Sequence, residues 1–381
     1  MTKIVITKIP NWSYHQWFLL GLYMLEEEKK IKLRFKVNFQ TRMSLITNNK
    51  YILYLVKMWQ WKVQSWRAPL EGYALINGRK KYFCIDRYDD PNVFSSVLLS
   101  KVDIYFKMQC PVSFDPEGFD LTDEVKLKWI GIIYRKRKCA LNFQVESKPC
   151  DNLFENLHKI KPFMIGPRRL TYGNRYKPLK AAYREYLNSS RIEKSKKLMA
   201  YFGSDESPKE MSPLYNITDC NEGVLRKITH PNLKRGIAVS IIRKMGDRYD
   251  GRLITENGTT YPELIIPLPK FCDHIAQFEY NLNISGHILS IPNRFVESFM
   301  AGTAILTDKL HVKWYQPFGE EVRETVEMGY YPNEKVDWKK FEKDLSDLPK
   351  VNREKILESF HDKWSPGAAA KYILTTLGAE F

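Results

Sequence analysis

The 381 residues are 44% hydrophobic and include 20 Phe, 22 Tyr and 9 Trp, which is ample for two packed domains and excludes an intrinsically disordered chain. Sixty Lys and Arg against 44 Asp and Glu leave a net charge of +16, the balance of a protein with a polyanionic partner such as nucleic acid, an anionic membrane face or a phosphorylated substrate. The surplus is uneven: residues 1–190 hold 33 basic and 17 acidic side chains, whereas residues 191–381 hold 27 of each, so the two halves are expected to do different work. The six cysteines form no CxxC pair and no zinc-type cluster, and read as small buried hydrophobes of a reducing compartment. Met1 leads directly into an apolar strand-like run without a secretory signal pattern, and the longest apolar runs (Trp17–Leu25, Tyr51–Val56, Trp129–Tyr134) are shorter than the ~20 residues of a bilayer span. A cytoplasmic protein, soluble or peripheral at the inner membrane face, is the expectation.

In chain order, the pattern predicts a strand at Lys3–Ile9, a helix from Tyr14 to Lys30 capped within Asn11–Ser13, and a strand at Ile31–Phe39. Further strands are expected at Tyr51–Val56, Lys81–Asp86 and Val102–Met108, with helices near Asn92–Ser100 and Leu153–Lys159. This alternation predicts a largely parallel α/β sheet. A basic helix follows at Lys180–Lys197, then an apolar strand, Leu198–Phe202, that stops at Gly203. A strand ending in Gly-Ser begins a second α/β unit, which puts a boundary near residue 190. Within it the pattern gives a helix at Ile237–Met245, a strand at Leu264–Pro267, a helix at Lys270–Glu279 and a strand at Tyr280–Ile284. A helix at Asn293–Ala301 and a strand at Ala304–Thr307 come next, then tail helices at Trp338–Leu345, Asn352–Lys363 and Ala368–Leu377.

The most informative stretch is FEYNLNISGHILSIPNRFVESFMAGTAILTDKL, residues 278–310. A strand delivers Ser285 and Gly286 into a polar loop, Ser290–Asn293 caps a helix start, and Gly302 closes that helix before another strand. Arg294 and Glu297, three apart, share one face of the first turn. Backbone N–H groups, the helix dipole and an Arg together suit a phosphate, and a carboxylate one turn on can accept from vicinal ribose hydroxyls. The bland alternative is a surface ion pair. A second basic element, Lys234 and Arg235 before Gly236, suits a diphosphate leaving group or is a solvated loop. Gly203, at a strand end, occupies the usual cleft position of α/β folds.

The stretch P-x-R-x-x-E-S-x-x-x-G-T-A-I-L resembles the donor-nucleotide motif of GT-B glycosyltransferases, and the preceding N-L-N-I-S-G-H-I-L-S is similar to their exostosin-like and protein O-glucosyltransferase-like branches. The tail K-I-L-E-S-F-H-D-K-W-S-P-G-A-A-A-K-Y-I-L resembles the helices that close those enzymes, so the resemblance covers residues 278–381. Leu289 stands where a second acidic residue is usual. The resemblance implies two Rossmann-like domains facing each other across a cleft. Residues 1–190 would form a basic acceptor domain and 191–350 a nucleotide-sugar domain, with 351–381 as helices crossing back. It implies Glu297 on the ribose, Arg294 and Ser290 toward the pyrophosphate, Gly286 allowing close approach, and His287 at the sugar or a phosphate. It implies no cofactor and no metal, only a UDP- or GDP-linked sugar.

A proton acceptor for the acceptor hydroxyl would come from the first half. His15, after the first strand, stands where some GT-B enzymes keep a catalytic His, and is otherwise a packed first-turn residue. Asp86 and Asp89, at a strand end, are the other source, or cap a loop ending at Pro91. Arg135–Lys138 and the basic residues between Lys159 and Arg169, flanked by aromatics, suit an anionic membrane face that presents a glycan or lipid-linked glycan acceptor. The same composition suits single-stranded nucleic acid, but no RNA-binding motif is present, so a non-catalytic nucleic-acid or polyanion binder is the alternative function.

Overall fold

The computed structural model describes residues 1–9, 14–47, 49–63, 69–87, 94–111, 152, 154–167, 170–171, 173–189, 197–203, 215–218, 225–228, 249–253, 255–256, 259–260, 268–283, 290–308, 310, 312–326, 343–344 and 347–380. The fold is α/β. In the first half, β1 (Thr2–Lys8) leads to α1 (His15–Glu27), β2 (Ile31–Phe35), α2 (Phe39–Ile46) and α3 (Lys50–Val63). Then come β3 (Leu70–Ile76), β4 (Arg79–Asp86), α4 (Ser96–Lys101), β5 (Ile104–Lys107), β6 (Cys110–Pro111), a 3-10 turn (Phe154–Lys159) and β7 (Ile160–Pro162). The sheet order is β2-β1-β3-β4-β5-β7. Only β3 runs against its neighbours, so β1, β4, β5 and β7 deliver their carboxyl ends to one edge.

Three sequence expectations change here. The first sheet is mixed rather than largely parallel, because β3 and β4 form a hairpin whose two-residue turn, Asn77-Gly78, has φ of 49° and 77°. Asn-Gly is the pair that tolerates positive φ at both turn positions. Tyr51–Val56 is not a strand but the first half of α3, since an apolar run of that length fits either period and the pattern continues through Val63. The expected strand at Ile31–Phe39 ends at Phe35, and Phe39 opens α2 behind the Asn38 cap, whose side chain accepts from Thr41 N at 2.9 Å.

The second half begins with α5 (Tyr176–Ser189) and β8 (Lys197–Gly203). Lys197 therefore starts a strand and does not end the preceding helix. Leu179, Tyr183 and Tyr186 form the buried stripe of α5. Two short antiparallel pairs, β9 (Tyr215–Thr218) with β10 (Leu225–Ile228) and β12 (Thr255–Glu256) with β13 (Thr259–Thr260), flank β11 (Tyr249–Leu253) in sequence. There follow α6 (Leu268–Ile275), β14 (Phe278–Leu282), α7 (Arg294–Met300), β15 (Ala304–Asp308), β16 (Val312–Lys313) and β17 (Val322–Val326). Helices α8 (Arg353–Ser359) and α9 (Pro366–Thr376) close the chain, joined by a π-helical turn at Phe360–Trp364. The second sheet has the order β11-β8-β14-β15-β17 and every pairing in it is parallel. The helix expected at Ile237–Met245, the strand at Leu264–Pro267 and most of the helix at Trp338–Leu345 lie outside the described residues.

One hydrophobic core runs through both sheets, from Ile4, Phe18 and Phe163 to Phe299, Trp364 and Ile373. A smaller cluster (Cys84, Leu99, Tyr105, Ile160) fills the other face of the first sheet under α4. Helix α9 lies on α1: Trp17 Nε1 donates to Trp364 O at 2.9 Å, and a Cβ on Gly21 would sit 2.0 Å from Pro366 O, so only glycine permits that approach. Phe163, Tyr315 and Tyr372 stack in sequence, with ring centroids 5.8 Å and 4.3 Å apart.

Candidate active site

The carboxyl ends of the two sheets meet. Gln109, just past β5, donates from Nε2 to Ile291 O at 2.8 Å and accepts from Ile291 N on Oε1 at 3.0 Å. Beside this contact, β6 pairs antiparallel with β16, Cys110 opposite Lys313. The second sheet changes direction of growth between β8, which leads out to β11, and β14, which returns on the other side. Ligands of open parallel sheets bind outside the carboxyl ends at such a switch. Gly203 ends β8 at this position, and Asn283 follows the end of β14.

Each edge carries a buried polar side chain with no hydrogen-bond partner. His15, in the first turn of α1, is fully buried with both ring nitrogens unpaired. Burial, then the Arg87 guanidinium, holds its pKa well below the usual 6.5, so the imidazole is neutral. Asn283 is fully buried with both amide atoms unpaired, and Asn281, two positions earlier and thus on the same face of β14, leaves its Oδ1 unpaired while Nδ2 donates to Ser298 Oγ at 2.9 Å. Polar groups are rarely buried without partners, and such orphans call for a water, an ion or a ligand. Asn281 and Asn283 were legible in sequence as alternating Asn residues in an otherwise apolar strand, but the sequence reading passed over them. Gln109 and Arg87 carried no sequence signal of their own.

The remaining expected residues divide. Glu297 is fully buried in α7, with its carbonyl facing Cys272 Sγ at 3.7 Å, while Arg294 is half-buried and Ser290 buried. The expected cap is absent in its simple form: Asn293 takes helical dihedrals and makes no side-chain cap bond. Gly302 closes α7 at φ 66°. Asp86 is committed to the frame. Its Oδ2 accepts from Tyr105 OH at 2.7 Å and from Lys107 Nζ at 3.0 Å, and Lys107 is fully buried, 5.4 Å from the Phe94 ring centre. Asp86 is thus held by two partners, whereas both ring nitrogens of His15 are without one. On the second sheet, Thr307 Oγ1 donates to Asp308 Oδ1 at 3.2 Å, both fully buried at the end of β15. Asp89, Lys234, Arg235, Gly286 and His287 lie outside the described residues, as do Arg135–Lys138. The described cysteines Cys84, Cys110 and Cys272 form no disulfide and are buried, and burial pushes the Cys110 thiol up to about 12.

No protein-family model matches this chain, and no curated protein sequence matches it significantly.

Proposed function

We propose that this chain is a GT-B-type glycosyltransferase that moves a sugar from a UDP- or GDP-linked donor to a glycan or lipid-linked glycan acceptor without a metal. The observation that carries the reading is the meeting of two carboxyl strand edges at Gln109 and Ile291, one edge holding His15 and the other the switch between β8 and β14. In this reading the two sheets belong to domains that face each other across a cleft, with residues 351–381 bridging them.

The donor lies on the second half. Glu297 accepts from the ribose hydroxyls, Arg294, Ser290, Lys234 and Arg235 face the pyrophosphate, Gly203 and Gly286 let backbone approach, and His287 lies at the sugar. In a single displacement, His15 takes the proton of the acceptor hydroxyl as its oxygen bonds to the anomeric carbon. The bond from that carbon to the diphosphate oxygen breaks, and the electron pair leaves with the diphosphate, whose charge the cations stabilise. Burial and Arg87 keep His15 unprotonated, and the negative charge of a bound donor raises its proton affinity when it must act.

The test is a thermal-shift screen with UDP and GDP, followed by donor hydrolysis with each sugar of the better-bound base. A stabilising shift that Glu297→Gln removes is expected. Unchanged melting with every nucleoside diphosphate overturns the proposal.

A further inference from the structure

Helices α2 and α3 turn the usual amphipathic arrangement inside out. On α2 the small polar residues face inward, Thr41 at 2% and Ser44 at 9% exposure, while Phe39 and Ile46 stand out at 71% and 57%. Seven residues apart, Phe39 and Ile46 lie on one side of the helix. On α3, Tyr51, Tyr54 and Leu55 are 84%, 61% and 67% exposed, with Ile52 beside them, and only Leu53 of this run is buried. Six of the nine exposed large apolar side chains among the described residues sit on this one hairpin, which makes it a patch rather than scatter.

The hairpin is held rigidly. Asn49 Oδ1 accepts from Tyr51 N at 3.0 Å and Ile52 N at 3.3 Å, which fixes the start of α3. Asn174 donates from its backbone to Ser44 O at 2.7 Å and from Nδ2 to Ser44 Oγ at 3.0 Å, fastening the polar side of α2 to the body. The apolar side is thus presented outward by bonds on the polar side.

The charge along this stretch of sequence has one sign. From Lys36 to Leu70 the sequence has no Asp or Glu, but has Lys36, Arg42, Lys50, Lys57, Lys62 and Arg67. Lys36, Arg42 and Lys50 are exposed. We propose that the α2–α3 hairpin docks this protein on an anionic lipid bilayer, inserting Phe39, Ile46, Tyr51, Tyr54 and Leu55 at the level of the headgroups. Cations that meet acidic headgroups, tyrosines at the polar boundary and aliphatic side chains below them are the chemistry of an interfacial helix. The 14 residues of α3 span ~21 Å, too short for a ~30 Å hydrocarbon core, so the hairpin lies in the interface and does not cross it. A two-fold contact with a second copy would instead bring cation against cation. The proposal does not depend on the reaction proposed above.

Co-sedimentation of the intact protein with vesicles of phosphatidylcholine, with and without phosphatidylserine, tests it. Binding to the anionic vesicles that weakens with salt is expected. Phe39→Ser, Tyr51→Ser and Leu55→Ser combined should lower the partition coefficient at least tenfold. Arg42→Glu with Lys50→Glu should erase the preference for phosphatidylserine. Val97→Ser, at an exposed apolar residue on α4, should bind as the unaltered protein does. Thermal melts of all variants should match, since every altered side chain is exposed. The proposal is overturned if the protein stays in solution with anionic vesicles or if the triple variant binds undiminished. A concentration-dependent dimer that the triple variant dissociates would overturn it too, by assigning the face to self-association.

Discussion

Gln109 and Ile291, 182 residues apart, close a ring of two buried hydrogen bonds in which one carboxamide satisfies both backbone groups of one residue. The side chain thereby acts as one more rung between the two halves beside the separate β6–β16 pair, which is the other ladder between them among the described residues. Gln109→Ala leaves the Ile291 N–H and C=O buried without partners, at about 1–3 kcal/mol each. Chemical denaturation should show a loss of ~2–6 kcal/mol. Gln109→Glu keeps the acceptor but sets a carboxylate against a carbonyl, and should cost as much or more. A variant as stable as the parent would mean that the two loops separate freely.

His15 links pH to stability. Burial and Arg87 depress its folded pKa, so below about 6.5 the unfolded chain takes up a proton that the folded chain refuses. Stability contributed by the neutral ring is therefore full above pH ~6.5 and is lost as pH falls toward the folded pKa. His15→Leu removes two unpaired nitrogens and should fold at least as well at pH 7, with a flatter decline as pH falls below about 6.5 in urea titrations. The same variant should abolish sugar transfer while leaving nucleotide-induced stabilisation in place. A transfer-competent His15→Leu enzyme would remove His15 from the mechanism.

Asp86 and Lys107 should behave as a structural pair. Asp86→Ala removes the carboxylate that Lys107 Nζ meets at 3.0 Å in the core, at a cost of about 3–5 kcal/mol. Asp86→Leu with Lys107→Met should recover most of that stability, because neither charge then needs a partner. A double variant no better than the single one would show that Tyr105 or another neighbour, rather than the pair, sets the cost.

Glu297→Gln preserves volume in a fully buried site, so the variant should fold. It exchanges one carboxylate oxygen for a donor, which cannot accept from a ribose hydroxyl. At a nucleotide concentration of about 100 Kd the parent gains ~2.7 kcal/mol. The variant should gain little of this, as read by differential scanning fluorimetry. A full shift in the variant would move the ribose away from α7.

Gly21→Ala drives a methyl into Pro366 O and the Ala370 side chain. Since the obstacle is backbone, α9 must shift, at about 1–3 kcal/mol. Because one core runs through both sheets, the loss should appear as a lower midpoint of a single transition, not as early melting of the tail.

The parallel strands β8, β14 and β15 and the tail helices α8 and α9 were legible because apolar runs between Gly, Pro and Asn punctuation carry one period each. The α2–α3 hairpin was not, and for a physical reason: its apolar residues point outward, so the period that normally reports a buried face reported an exposed one. Tyr51–Val56 read as a strand because an apolar run of that length fits either period. β3 was missed although Asn77-Gly78 marks its turn, and with it went the one antiparallel strand of the first sheet. On the candidate site, sequence singled out His15 and Glu297, but not that Asp86 is spoken for by Lys107 and Tyr105, a pairing across adjacent strand ends that depends on register alone. Gln109 owes its interest to what surrounds it, which no local pattern records, whereas Asn281 and Asn283 showed as polar residues alternating along an apolar strand.

The close approach of Gly21 to Pro366 has a mechanical consequence. Two helices whose backbones touch at a glycine can pivot there with little change in contact, whereas the ring at Gln109 and Ile291 must break for the strand edges to part. Parting the two strand edges would break those hydrogen bonds and the short β6–β16 ladder, and would also expose apolar side chains of the shared core, Phe163 against Tyr315 among them.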